Sequence, residues 1–124
     1  MNDDSRKKVM VVDDDPEFLE EVSSTLVLNE YDVVTVEHPQ EVVERVHQTS
    51  PDVILLDLNM PARSGFQVAC DLNFFANISR IPIIAMTGFF QDKPGDVWNN
   101  YGIADCLRKP FDPLLLIMKI ESLV

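Results

Sequence analysis

The stretch DVILLDLNMP, residues 52–61, decides how the chain folds. Its consecutive apolar residues, Val53 to Leu56, run directly into Asp57. The apolar run is too short for a helix, and the turn-forming residues Asn59 and Pro61 follow it, so we predict a buried strand. A carboxylate at the end of a buried strand costs free energy unless something compensates it. Asp57 is therefore the first candidate functional residue.

Length and composition predict one globular domain over residues 1–124. At 124 residues and 46% hydrophobic, the chain is too apolar for disorder and long enough to bury a core. Apolar runs fall short of the roughly 18 residues of a membrane span, and the polar start lacks the apolar stretch of a secretory signal. We therefore expect a cytoplasmic protein without membrane contact.

Charge and cysteine usage narrow the function further. The formal net charge of −11 disfavours direct nucleic acid binding, which needs a surplus of Lys and Arg. Cys70 and Cys106 lack CxxC spacing, so we interpret both as reduced core cysteines. His38 and His47 are interpreted as surface residues without a metal role.

Strand and helix patterns alternate five times along the chain. We predict strands at residues 7–12, 31–37, 53–57, 81–86 and 103–107. We predict helices beginning at Asp15-Pro16, Pro39, Ser64-Gly65 and Asp112-Pro113, with a short one near 94–100. The third helix is expected to place Phe66, Ala69, Leu72 and either Phe74 or Phe75 on its apolar side. The alternation predicts a mostly parallel sheet with helices on both faces, in three layers.

Residues with useful chemistry follow four of the predicted strands: Asp13-Asp14, Asp57, Thr87 and Lys109. Ligands of open α/β sheets bind at the carboxyl ends of the strands, where these side chains converge. Clustered carboxylates repel one another, and a hard cation such as Mg²⁺ relieves that repulsion. Asp57 is then a candidate nucleophile for phosphorus, with Lys109 and Thr87 contacting the phosphoryl oxygens. Asp15 is interpreted as a helix cap.

These motifs resemble the receiver domain of two-component response regulators. The matching segments are VVDDDP at 11–16, LLDLNMP at 55–61, Gly65, Thr87 and KPF at 109–111. The resemblance covers about residues 7–123 and implies a CheY-like, flavodoxin-like doubly wound sheet of five parallel strands in the order 2-1-3-4-5, with five helices. It implies a phosphorelay in which Asp57 accepts a phosphoryl group from a histidine kinase or a histidine phosphotransfer protein. Such a domain catalyses only its own phosphorylation and dephosphorylation and is otherwise no enzyme.

The resemblance also implies a metal site and a switch. Mg²⁺, for which Mn²⁺ substitutes, would be bound by Asp14, by Asp57 and by the backbone carbonyl of Asn59, with Asp13 acting through metal-bound water. The Lys109–Pro110 bond would be cis. Thr87 would move towards the phosphoryl group.

The chain departs from the family pattern at Cys106, where an aromatic residue is usual. A thiol cannot sweep the same volume, so we hypothesise that signalling runs through the loop after Thr87. That loop carries Phe89 and Phe90, and Trp98 and Tyr101 follow, which favours an exposed partner surface. Phe89 is also a candidate cover for the acyl phosphate, which would slow attack by water.

The last predicted helix is apolar nearly all round, which predicts burial on more than one side. Its apolar residues are Leu114, Leu115, Leu116, Ile117, Met118, Ile120 and Leu123. We predict a partner face formed by the fourth helix, the fifth strand and this last helix. A homodimer or an output domain would occupy it.

Two other functions compete with a signalling receiver. A small phosphatase resembling the haloacid dehalogenases would also use a strand-end Asp, but Asp13 to Glu17 does not fit its first motif at the last position. A degenerate receiver would bind partners without phosphorylation. The presence of all four residues that the chemistry needs argues against it: Asp14, Asp57, Thr87 and Lys109.

Overall fold

The computed structural model describes residues 6–75, 80–88 and 101–124. Its strands are β1 (Lys8–Val12), β2 (Asp32–Val36), β3 (Val53–Asp57), β4 (Ile83–Thr87) and β5 (Ile103–Arg108). Its α-helices are α1 (Pro16–Leu28), α2 (Val42–Thr49), α3 (Gly65–Phe74) and α4 (Pro113–Leu123). The predicted helix near 94–100 lies outside the described residues. No described helix has the length and hydropathy that a bilayer span requires.

The strands form one parallel sheet in the order β2-β1-β3-β4-β5, which confirms the predicted fold. Val12 pairs with Leu56 between β1 and β3, and Asp57 pairs with Met86 between β3 and β4. The register shifts between β4 and β5, where Asp105 rather than Ala104 follows Ile103 as the next paired residue. The carboxyl ends of the strands therefore share one edge.

Two cores cover the two faces of the sheet. Side chains alternate across a strand, so Ile54 and Leu56 belong to the core under α2 and α3, whereas Val53 and Leu55 belong to the other. That second core includes Leu26 of α1 and Ile120 of α4. A strand that is buried on both faces must be apolar throughout, which is why β3 reads as an unbroken run.

The helix starts follow the predicted capping residues. The Asp15 carboxylate accepts a hydrogen bond from the Glu17 N–H at 3.1 Å, and the Ser64 hydroxyl accepts one from the Gln67 N–H at 3.2 Å. Asp112 caps α4 in the same way. The second helix differs from the prediction, because Pro39–Glu41 forms a 3₁₀ turn before α2. No side chain caps this turn, and a tight 3₁₀ turn is a common way to begin such a helix.

Two predictions for α3 are wrong: that Phe74 or Phe75 lies on its apolar side, and that Cys70 is a core residue. Phe74 is 83% exposed, because it lies two positions after the buried Leu72 and so points away from the sheet. Phe75 follows the last residue of the helix and is also exposed, with its ring against His47. Cys70 is an exposed free thiol rather than a core residue, since it follows the buried Ala69 on the outward side.

Other surface and core expectations are confirmed. His38 and His47 are exposed. Cys106 is half-buried and packs against the core under α2 and α3. In α4, Leu116, Ile117 and Ile120 are buried, whereas Leu114, Leu115 and Met118 on the other side are exposed. Only one side of α4 is therefore covered within this chain, and burial of the second side by a partner stays a prediction.

Candidate functional site

The parallel sheet brings an ammonium group between two carboxylates that are far apart in sequence. Lys109 Nζ lies 2.6 Å from Asp13 Oδ2 and 3.7 Å from Asp57 Oδ2. Asp13 is 1% exposed and Asp57 is 5% exposed, so both carboxylates are withdrawn from bulk water. The structure thus places three of the predicted site residues in one constellation.

Asp14 completes an acidic cluster at the same edge. One carboxylate oxygen from each of Asp13, Asp14 and Asp57 lies within 4.8 Å of the others, and Asp14 is the exposed member. Within the described part of the chain, the ammonium of Lys109 is the one cation paired with these carboxylates, so the cluster is short of positive charge when all three are ionised. Oxygen donors at this spacing, open to solvent on one side, fit a hard divalent cation.

Burial, and to a smaller extent the neighbouring Asp57 charge, disfavours the ionised form of Asp13. Burial raises the pKa of the Asp13 carboxyl above its ordinary value of 3.8, and the nearby Asp57 charge raises it further. The hydrogen bonds from Lys109 and from the Asp15 N–H lower the pKa but do not cancel the effect of burial. The ionised form of Asp13 is therefore destabilised in the metal-free fold.

Asp13→Asn is expected to raise the free energy of unfolding in metal-free buffer at neutral pH, by about 1 kcal/mol. A carboxyl whose folded pKa is raised keeps its proton in the fold after the unfolded chain has lost it. The free energy of unfolding of the wild type therefore falls as the pH rises from the ordinary pKa of Asp to the raised pKa of Asp13. The loss persists above that range. Urea denaturation with a chelator present, repeated across this range, measures the difference. If the difference in unfolding free energy between Asp13→Asn and the wild type grew towards acid pH, the pKa of Asp13 would not be raised.

The loop after β3 ties Asp57 to β4. The Asn59 N–H donates to Asp57 Oδ1 at 3.0 Å, and the Asn59 side-chain amide donates to Thr87 Oγ1 at 3.3 Å. The Leu58 N–H donates to the Met86 carbonyl at 2.9 Å, which extends the β3–β4 pairing by one residue. Asp57 and Thr87 are consequently held at adjacent strand ends.

An ion pair that sequence reasoning missed braces the same loop. Arg63 contacts the Asp71 carboxylate through Nε at 3.1 Å and through a second nitrogen at 2.5 Å. Asp71 lies on α3, so the pair fastens the loop to the helix that follows it. The sequence did not indicate this ion pair, because its two residues are eight positions apart and only one of them lies on the helix.

The segment after β5 places Lys109. The Lys109 N–H donates to the Thr87 carbonyl at 2.7 Å, and the Lys109–Pro110 bond is cis, as the resemblance implied. A second contact was not predicted: Lys109 Nζ lies 4.1 Å from the centroid of the Phe18 ring. In the sequence, Phe18 is one of several apolar residues near the start of α1, with nothing to single it out.

The structure describes two of the predicted switch residues, Thr87 and Cys106. Thr87 is 2% exposed at the end of β4, beside Asn59. Burial, followed by the negative charge of Asp105, raises the pKa of the Cys106 thiol, so this cysteine is a packed thiol rather than a reactive thiolate. The predictions for Phe89, Phe90 and Trp98 fall outside the described residues.

Comparison with known proteins agrees with this geometry. A sequence model described as the response regulator receiver domain matches residues 9–121. The protein PilH of Pseudomonas aeruginosa is 32% identical and aligns over 94% of this chain and 97% of its own length. The chemotaxis protein CheY4 of Vibrio cholerae superposes with a TM-score of 0.90 at 27% identity, over 97% of this chain and all of that one.

Other relatives are longer. The CpxR homolog of Haemophilus influenzae, described as a transcriptional regulatory protein, is 30% identical over 94% of this chain. The alignment covers 50% of that relative, so this chain spans about half the length of such regulators. The similarity to them concerns one of their parts only.

Proposed function

Because the chain belongs to the response regulator receiver family, we propose that Asp57 is its phosphoacceptor and that phosphorylation is its signal. The observation that carries the proposal is the placement of Asp57. Its buried carboxylate ends the central strand, 3.7 Å from the Lys109 ammonium and hydrogen-bonded to the Asn59 N–H. A nucleophile, a cation and a hydroxyl at Thr87 are the groups that phosphoryl transfer to a carboxylate requires.

In the proposed reaction, a carboxylate oxygen of Asp57 attacks the phosphorus atom of a phosphohistidine. The new P–O bond forms as the P–N bond breaks, and the imidazole leaves with the electron pair. Lys109 neutralises charge on the phosphoryl oxygens, and the Thr87 hydroxyl donates a hydrogen bond to one of them. Attack by water later reverses the modification and releases inorganic phosphate.

We propose that Mg²⁺, or Mn²⁺ in its place, is the cofactor. Asp14 and Asp57 would bind it with their carboxylates, Asn59 with its backbone carbonyl, and Asp13 through a bound water. The spacing of the carboxylate oxygens, all within 4.8 Å, supports this donor set. When bound, the cation supplies positive charge beside the transferring phosphoryl group.

The proposed donor is the phosphohistidine of a histidine kinase or of a histidine phosphotransfer protein. Receiver domains partner with such proteins in two-component signalling, and the chain is a receiver domain. Family membership does not favour the phosphatase alternative. The chain therefore acts on itself and does not turn over small phosphate esters. The expected cytoplasmic location stays a prediction.

The proposed switch begins at Thr87. Its hydroxyl accepts a hydrogen bond from the Asn59 amide, and its own O–H can donate to a phosphoryl group on Asp57. The proposed switch is the movement of Thr87 that makes this second bond. The change would reach the surface through β5, where Thr87 pairs with Arg108. That the change is relayed through the segment that begins at Phe89 rather than through Cys106 stays a prediction.

We propose that phosphorylation makes the outward side of α4 self-associate. Leu114 is 65% exposed and Met118 is 58% exposed, one turn apart on this helix. Met118→Glu is expected to keep the chain monomeric under conditions in which the phosphorylated wild type dimerises. Sedimentation velocity with and without phosphorylation measures this, and Leu28→Glu is the control, since Leu28 is an 83% exposed residue on α1. Wild type that stays monomeric in both states at high concentration would rule the dimer out.

Intact mass spectrometry tests the proposed function directly. The chain is incubated with Mg²⁺ and acetyl phosphate, a small phosphodonor that needs no partner protein. We expect one added phosphoryl group, which a chelator prevents and which hydroxylamine removes, as it does from acyl phosphates. Absence of any modification would favour a degenerate receiver, and continuous hydrolysis of phosphate esters without modification would favour the phosphatase.

A further inference from the structure

We infer that Phe18 is a positioning residue for Lys109, holding its ammonium between Asp13 and Asp57 through a cation–π contact. The inference rests on the proposed role of Lys109 at the phosphoryl group. Lys109 Nζ lies 4.1 Å from the Phe18 ring centroid, within the range of about 6 Å over which a ring face attracts an ammonium. The ring approaches from α1, whereas both carboxylates lie at the ends of strands.

Two carboxylates, those of Asp13 and Asp57, compete for the ammonium of Lys109. Its ammonium is 2.6 Å from Asp13 but 3.7 Å from Asp57, so direct attraction favours the carboxylate that does not react. A lysine side chain has four rotatable bonds and loses rotamer entropy when it is fixed in one position. A ring against the ammonium restricts those rotamers and blocks water on that side. It therefore keeps the cation within reach of a phosphoryl group on Asp57.

Phe18 is itself held in place by the segment that carries Lys109. The rings of Phe18 and Phe111 pack edge to face, with centroids 6.0 Å apart and an interplanar angle of 89°. Phe111 follows Lys109 by two positions, so a single short segment supplies both the ammonium and the ring that supports Phe18. The same rings line a groove between α1 and the start of α4, together with Val22, Pro110 and Leu116. This bracing gives the Phe18 ring one orientation, as a positioning role requires.

The competing explanation is that Phe18 only fills the core beneath α1 and α4. Phe18 is half-buried and packs against that core, so its replacement must cost some stability in either case. Leucine and tyrosine separate the two roles, because leucine keeps an apolar side chain without a ring face and tyrosine keeps the ring. Phe66→Leu is the matched control: Phe66 is also half-buried and also packs against an aromatic ring, that of Tyr101, but it lies on α3 against the other core.

The first measurement uses NMR on the unphosphorylated protein. In the wild type, the ε-methylene protons of Lys109 are expected to resonate upfield, because they lie near the face of the Phe18 ring. Phe18→Leu removes this shift, Phe18→Tyr retains it, and Phe66→Leu leaves it unchanged. A wild-type spectrum without the upfield shift, or a shift that survives in Phe18→Leu, would overturn the inference whether or not Asp57 is ever phosphorylated.

The second measurement is the rate constant of phosphorylation by saturating acetyl phosphate with Mg²⁺. Phe18→Leu is expected to lower it by about threefold to tenfold, the size of one partly desolvated cation–π contact. Phe18→Tyr restores the rate to within about twofold of the wild type, while Phe66→Leu lowers thermal stability without this loss of rate. Equal rates in Phe18→Leu and wild type would refute the positioning role. A wild type that takes up no phosphoryl group would instead refute the proposed function.

Discussion

Asp57→Asn is expected to abolish phosphoryl incorporation completely. Asn has nearly the same shape, and its side-chain oxygen can still accept the hydrogen bond that the Asn59 N–H donates at 3.0 Å. The fold should therefore persist. The amide is a poor nucleophile towards phosphorus, so the loss arises from chemistry rather than from unfolding. Intact mass spectrometry after incubation with Mg²⁺ and acetyl phosphate should show only the unmodified chain.

Asp15→Asn is the matched control for this experiment. Asp15 lies beside the site but caps α1, accepting a hydrogen bond from the Glu17 N–H at 3.1 Å. Asn is an equally good capping residue, so this variant should keep both its stability and its capacity for one phosphoryl group. Incorporation into the Asp57 variant at the wild-type level would show that another residue is the phosphoacceptor, and the assignment would fail.

The fold could be predicted largely because its three central strands, β1, β3 and β4, are buried on both faces. Residues such as Val53 and Leu56 have no polar alternative, so β3 appears in the sequence as an uninterrupted apolar run that ends at Asp57. The capping pairs Asp15-Pro16 and Asp112-Pro113 marked two helix starts for a local reason, since a cap and its helix adjoin in sequence. The strand ends then followed from parallel topology, which brings Asp13 and Lys109 together although they lie at opposite ends of the chain.

The contacts that the sequence did not show depend on side-chain direction across distant segments. No local pattern places Phe18 beneath Lys109, because the contact depends on how α1 packs against the segment after β5. The exposure of Cys70 and Phe74 has a related cause. An apolar composition marks a helix as amphipathic, but a shift of one or two positions decides which residue faces the sheet.

Gly65→Ala is expected to cause a large loss of stability. A Cβ atom at residue 65 would overlap the backbone oxygen of Asp57 and lie 2.6 Å from the Leu58 Cα. Both obstacles are backbone, which cannot rotate aside as a side chain can. The Gly65 N–H also donates to the Leu58 carbonyl at 3.2 Å. This hydrogen bond ties the start of α3 to the residue after β3, so α3 cannot move away from the added methyl group without breaking it. We expect a loss of about 3 kcal/mol in the free energy of unfolding, at the upper end of ordinary overpacking.

Gly88→Ala provides the control, because a Cβ at that residue would lie within 4 Å of none of the described atoms. That substitution should leave stability unchanged or raise it slightly, since alanine reduces the entropy of the unfolded chain. Urea denaturation of both variants separates the two cases by midpoint, provided that the slope of the transition is unchanged. The Gly65 variant has a functional consequence as well: any backbone shift that accommodates the methyl group displaces Asp57 itself. Its phosphorylation rate should therefore fall even at temperatures where it remains folded, whereas a stable variant with wild-type kinetics would mean that α3 can retreat without moving the end of β3.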